Sequence, residues 1–283
     1  MHEDFILVEI FYLVFSQLAV GGLAVLLLIP KGLVGANFYR LMGGIYLLVG
    51  GLARCANLYL NEQPITFLNF FGAGPNYESI FVLSFIFAII AYTISLWFKY
   101  HIVTQIFFYF GVMSGVVGIV VSALSYLPIV QFPWAQFLLP LQFLVSAILL
   151  GAVHTGMWFG HWYLVTPELP VHYLRRYNTL LLSSLVAMVV LFCMSMIFRL
   201  QIQDPTPFSF HYELVFWIRL GVGFATTLLV YFISWDCLRP KSVAKDEVGA
   251  TRAATGFLFI AIITVFLGEF CGRYLFLALH FIF

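Results

Sequence analysis

Polar side chains set inside long apolar runs are the features of this sequence that could do chemistry. Glu9 and Gln17 lie in the first such run, Arg54 in the second and Glu78 at the start of the third. Glu213 and Arg219 lie early in the seventh, and Glu269 and Arg273 late in the eighth. A charge at mid-bilayer costs about 2.5–3.5 kcal/mol, which makes each of these residues a candidate for function. Glu269 and Arg273 are four apart and share a helix face, with His280 a further seven residues on. Such residues can act as ion pairs that hold helices together, or they can line a polar pocket. A pocket of Arg, Glu, Gln and aromatic residues suits a quinone, because the ring needs apolar walls, the carbonyls need donors and the hydroxyl protons need an acceptor. His154 and His161 form a second group, seven apart and hence on one face of the fifth run. Imidazoles on membrane helices can hold b-type haem, and each of these two would need a partner from another helix. The alternatives are a proton path and plain interhelical hydrogen bonding.

The elements that must position these residues follow from composition. Of 283 residues, 63% are hydrophobic and only 9% charged, with a mean hydropathy of +1.03. A soluble domain carries about 25% charged residues, so the solvent for most of this surface is a lipid bilayer. Runs long enough to cross it, about 20 residues each, fall at 5–29, 38–60, 79–98, 102–125, 136–165, 177–199, 212–237 and 254–282. Turn chemistry at Pro30-Lys31-Gly32, 72–76, 128–133, 166–170, 204–207 and 239–241 separates most of them. The third and fourth are parted only by Lys99, Tyr100 and His101. The expected fold is an all-α integral membrane protein of eight transmembrane helices. No internal repeat is visible, so residues 1–283 read as a single membrane domain.

Basic residues set the expected orientation. Lys31, Arg40, Lys99, Arg175, Arg176, Arg239, Lys241, Lys245 and Arg252, nine of the 13 Lys and Arg residues, fall at the first, third, fifth and seventh connections. Those connections are expected in the cytoplasm and both termini outside, which places all the intramembrane charges in the outer half. Asp236 is expected to pair with a basic residue of the seventh connection. The net charge of +1 argues against a nucleic-acid partner. Cys55, Cys193, Cys237 and Cys271 are scattered singly, which excludes a thiolate-only metal or iron–sulfur site. The acidic start, without Lys or Arg, does not read as a cleavable signal peptide.

Several of these residues carry a family resemblance. The segment Glu269-Phe270-Cys271-Gly272-Arg273-Tyr274-Leu275-Phe276 is similar to the C-terminal E-x-x-G-R-x-x-F of the membrane-anchor subunit of dimethyl-sulfoxide-reductase-type molybdoenzymes. Phe15-Ser16-Gln17-Leu18-Ala19-Val20-Gly21-Gly22 resembles its F-x-Q-x-x-x-G-G opening. Residues 58–70, with Pro64, resemble its outer loop after the second span. Asn76-Tyr77-Glu78 stands where it has Ser-x-Glu, and Trp217-Ile218-Arg219 resembles its W-R pair.

The resemblance implies eight spans with both termini outside and a haem-free anchor that exchanges electrons with menaquinone or ubiquinone. It implies partners as well: an iron–sulfur, ferredoxin-like subunit docked on the outer face, and a molybdopterin-type catalytic subunit. The location implied is the cytoplasmic membrane of a bacterium or archaeon. Quinone-binding residues carried over are Glu78 and Arg219, with Glu269, Arg273 and Gln17 nearby. The chain departs from the pattern in two places. Tyr59 stands where the family has a pocket His, and a tyrosine is a poor proton acceptor at neutral pH. The segment around His154 and His161 has no counterpart. A haem-binding cytochrome subunit and a non-catalytic scaffold of the same fold are the alternatives, and a small-anion transporter is a further one, disfavoured by the lack of internal symmetry.

Overall fold

Among the residues described in the computed structural model (3–29, 34–72, 77–98, 101–130, 134–166, 169–202 and 210–282) there are helices and no strands. The expected turn at 30–32 therefore lies outside the described residues, as do Lys99, Asn76 and most of the sixth connection. Eight helices are long and apolar enough to cross a bilayer. We number them α1 (Glu3–Val25), α2 (Ala36–Leu60), α3 (Tyr77–Ser95), α4 (His101–Ser125), α5 (Ala135–Val165), α6 (His172–Ile202), α7 (Phe210–Cys237) and α8 (Glu247–Leu279). Lipid offers no hydrogen bonds, so the backbone must satisfy itself within each span, and the helix does this.

The spans fall close to their expected places, with one informative exception. α8 begins at Glu247, about two turns before the start expected from hydropathy, because Asp246 caps it: its carboxylate accepts the Gly249 N–H at 2.9 Å. Asp236 pairs with Arg239 at 3.1 Å, as expected for the seventh connection.

The helices divide into two groups of four with the same neighbours in each. In the first half α1 packs on α2 and α4, and α3 packs on α2 and α4. In the second half α5 packs on α6 and α8, and α7 packs on α6 and α8. The halves join where α1 meets α5, flanked by α1–α8 and α4–α5. α1 and α5 form the axis: 72% of the most apolar stretch of each is buried, against 33–50% for the other six. Four spans per half is an even number, so the halves run parallel across the bilayer. This internal symmetry was not visible in the sequence, because lipid-facing positions accept almost any apolar residue and retain no trace of a repeat.

Glycines set the closeness of the α1–α5 contact. A Cβ on Gly21 would stand 1.8 Å from the Ala147 carbonyl oxygen, and one on Gly151 would stand 2.3 Å from the Gly21 carbonyl carbon. Each atom in the way is backbone, so nothing can swing aside. Close approach of this kind compensates for the missing hydrophobic drive between helices in lipid. Gly151→Val is expected to prevent stable assembly of the two halves, read as loss of the monodisperse peak in detergent gel filtration. Gly256→Ala, where a Cβ meets nothing within 4 Å, is expected to leave that peak unchanged.

Candidate functional site

The intramembrane charges separate into three places at the end of the bundle that carries both termini. The first is a buried cluster between the halves. Arg219 of α7 donates from Nη1 to Glu269 Oε1 at 2.8 Å, and Arg273 Nη2 stands 3.7 Å from Glu269 Oε2. Ser146 of α5 donates to Glu269 Oε2 and is also 2.9 Å from Gln17 Oε1, and that amide oxygen accepts from Arg273 Nη2 at 3.2 Å. Gln17, Arg219, Glu269 and Arg273 are each 1–2% exposed.

Local structure places these groups. α7 is π-helical from Arg219 to Thr226, a wider turn that changes which face Arg219 presents. Gly223 then meets Gly268 of α8 so closely that a Cβ on either would stand 2.6–2.8 Å from the other's Cα. Gly272 leaves the space in which the Arg219 guanidinium lies, since its Cβ would be 2.8 Å from Arg219 Cζ. The cluster therefore holds two guanidinium groups and one carboxylate. Both arginines also lie over aromatic faces, Arg273 4.1 Å from the Phe143 centroid and Arg219 4.7 Å from that of Phe224, where the ring quadrupole attracts a cation.

The second place lies within the first half. Tyr12 donates to Glu78 Oε1 at 2.5 Å, and Tyr126 and Glu9 form a neighbouring hydroxyl–carboxylate contact. Tyr12 also lines a cleft between α1, α2, α3 and α4, walled by Val20, Phe81, Val82 and Phe85 and backed by Gly115 and Gly118. The cleft is narrow, about 30 Å³, which is room for about two waters. Tyr126 packs edge-on against Phe276 at 5.5 Å, and Phe276 packs on Phe143 beneath Arg273. An aromatic wall thus separates the Glu78 carboxylate from the Arg273 cluster.

The third place is structural. Arg54, fully buried, donates to Asn57 Oδ1 at 2.8 Å and to the carbonyls of Asn69, Phe70 and Gly72 at 2.8–3.3 Å. It holds the short helix Phe67–Phe71 against α2. Ser79 donates to the same Asn57 Oδ1 at 3.0 Å, so this network fixes the start of α3 and with it Glu78.

No known family model, curated protein or solved structure matches this chain. The geometry has to carry the functional reading.

Of the six residues singled out as quinone-binding, Gln17, Arg219, Glu269 and Arg273 meet in one cluster, and Glu78 belongs to the neighbouring one. Tyr59 joins neither. It is 47% exposed and packs its ring on Phe5 at 5.8 Å. Glu213 is likewise exposed. The sequence reading missed Tyr12, Tyr126 and Ser146. The carboxylates were the signal; their hydroxyl partners sit on other helices among 15 tyrosines.

His154 sits on the α2–α5 contact. Trp158 Nε1–H reaches its Nε2 at 3.2 Å, and its Nδ1 is 3.2 Å from the Tyr46 hydroxyl, which is in turn 2.5 Å from Thr155 Oγ1. Both ring nitrogens are engaged in hydrogen bonds. His161 is exposed and stands edge-on to Trp158 at 6.1 Å. Among the described residues no group of three or more His, Cys, Asp and Glu could hold a metal ion.

Removing Glu269 from the buried cluster would leave two guanidinium groups facing each other without a counter-charge. Glu269→Gln is expected to destabilise by about 3–5 kcal/mol and to cost more than Arg273→Gln, which leaves the 2.8 Å Arg219–Glu269 pair intact. Thermal unfolding of the purified variants in one detergent gives the order.

Proposed function

We propose that this chain is the membrane-anchor subunit of a multi-subunit oxidoreductase, exchanging electrons between the quinone pool and an iron–sulfur partner docked at the end that carries the termini. The observation that supports the reading is the Tyr12–Glu78 hydrogen bond beside an apolar, phenylalanine-walled cleft. Quinol oxidation releases two protons and two electrons. A carboxylate with a hydroxyl partner can take a proton, and in this reading the electrons pass to the partner subunit, since among the described residues no group of three or more His, Cys, Asp and Glu could hold a metal ion.

The residues divide the work by chemistry. Phe81 and Phe85 offer faces for a flat ring, which enters as these side chains move, since the resting cleft is narrow. Glu78 accepts a hydroxyl proton, and Tyr12 orients that carboxylate. Glu9 and Tyr126 extend the path towards the end of the bundle that carries the termini. The Arg219–Glu269–Arg273 cluster stands behind the aromatic wall of Phe143 and Phe276.

The narrow cleft and the self-paired cluster favour one other reading, a scaffold subunit that kept this fold without quinone chemistry. A transporter is not favoured. Parallel-repeat transporters place substrate at the interface between halves, and here that interface holds the Gly21–Gly151 backbone contact and a polar cluster whose charges pair with one another.

Glu78→Gln in the assembled complex is expected to lower quinol-dependent turnover about a hundredfold, the scale of a lost general base. Tyr12→Phe should lower it about tenfold. Turnover of either variant at the wild-type rate, with the complex intact by mass spectrometry, would establish the scaffold reading instead.

A further inference from the structure

A second cavity lies at the opposite end of the bundle, away from the candidate quinone site and independent of it. It encloses about 210 Å³, more than ten times the ~10–15 Å³ that one water needs. Its walls are the start of α2 (Ala36, Tyr39, Arg40), the end of α3 (Tyr92, Ser95, Leu96) and the first turn of α4 (His101, Thr104, Gln105). We propose that this cavity holds a phosphate group, supplied by the headgroup of a membrane phospholipid.

Four observations point there. First, among the described residues the lining carries a cation and no carboxylate. Arg40 donates to the Leu96 carbonyl and to Asn37 Oδ1, each at 2.9 Å, and its Nε is buried without a partner. Second, Tyr92 is wholly buried, and its hydroxyl finds no hydrogen-bond partner. A buried hydroxyl left unpaired costs about 1–3 kcal/mol, so a ligand oxygen at this position removes a real penalty. Third, two long helices begin in this wall, and α2 has no side-chain cap on its first N–H groups. Helix N-termini favour anions.

The fourth observation is the comparison of the two halves. Arg175 of α6 donates to the Leu238 carbonyl at the end of α7 at 2.6 Å, as Arg40 of α2 does to Leu96 at the end of α3. In the second half Asp236, Asp246 and Glu247 stand exposed at the end of α7 and the start of α8, with Glu247 accepting from Tyr163 at 2.5 Å. On the equivalent elements of the first half, the end of α3 and the start of α4, the sequence carries no carboxylate. A lipid fits the surroundings better than a free ion, because Trp97, Phe98, Ile102 and Ile106 beside the cavity are each 59–75% exposed and form an apolar flank for acyl chains.

The test uses the full chain, delipidated in detergent and titrated with phosphatidylglycerol, then separately with inorganic phosphate. Native mass spectrometry reads the bound mass and thermal unfolding reads stability. Wild type is expected to retain phosphatidylglycerol and unfold at a higher temperature with it. Tyr92→Phe should cut retention about tenfold, the loss of one hydrogen bond to a charged group. The paired variant His101→Ala/Gln105→Leu, on exposed positions that do not hold the fold together, should cut it as well. Stabilisation by inorganic phosphate alone, lost in Tyr92→Phe, would support the phosphate site and assign its source to the aqueous phase. Equal retention in wild type and both variants would overturn the proposal, as would Tyr92→Phe raising stability whether or not lipid is present.

Discussion

The architecture depends on how closely α1 and α5 can approach. Between helices in lipid there is little hydrophobic drive, so association rests on van der Waals contact and buried polar bonds. Gly21 and Gly151 bring the two backbones into direct contact. That contact places Ser146 of one axis helix within reach of Gln17 of the other. Through Ser146 and Gln17 the axis is tied to Glu269 and Arg273 of α8, and through Glu269 to Arg219 of α7. A bulkier residue at the crossing would separate the groups whose charges compensate one another.

The two halves share a framework and spend it differently. At the end that carries the termini, the second half fills the space between its helices with the Arg219–Glu269 ion pair, whereas the first half leaves a phenylalanine-walled cleft beside Glu78 and Tyr12. At the other end acidic residues stand on the second half, and the lining of the cavity in the first half carries no carboxylate among the described residues. In the function proposed above the chemistry belongs to the first half, with the second acting as its brace. The π-helical turn in α7 belongs to that brace, since it sets Arg219 against Gly272 and Glu269.

Much of this was legible before any coordinates. Mean hydropathy and run length specify eight spans, and the rarity of polar groups in those spans singles out Glu9, Gln17, Arg54, Glu78, Glu213, Arg219, Glu269 and Arg273. The physical reason is that lipid penalises polar groups so heavily that a span retains them only where they find partners. Where Tyr59 lies was not legible, because position along a span does not say which way a side chain faces near the helix end. His154 offered the chemistry of a ligand, but Tyr46 and Trp158 use both of its nitrogens.

The sequence by itself determined the all-helical membrane class, the number of spans and the short list of buried charges, because each follows from one-dimensional transfer energetics along the chain. Only the tertiary structure decided which of those charges meet. Pairing depends on helix rotation and on backbone approach at Gly21, Gly151, Gly223 and Gly268, and those are properties of two surfaces in contact. The likeness of the two halves, and the difference in what each encloses, likewise exists only in three dimensions, where apolar residues of any identity can pack into the same arrangement.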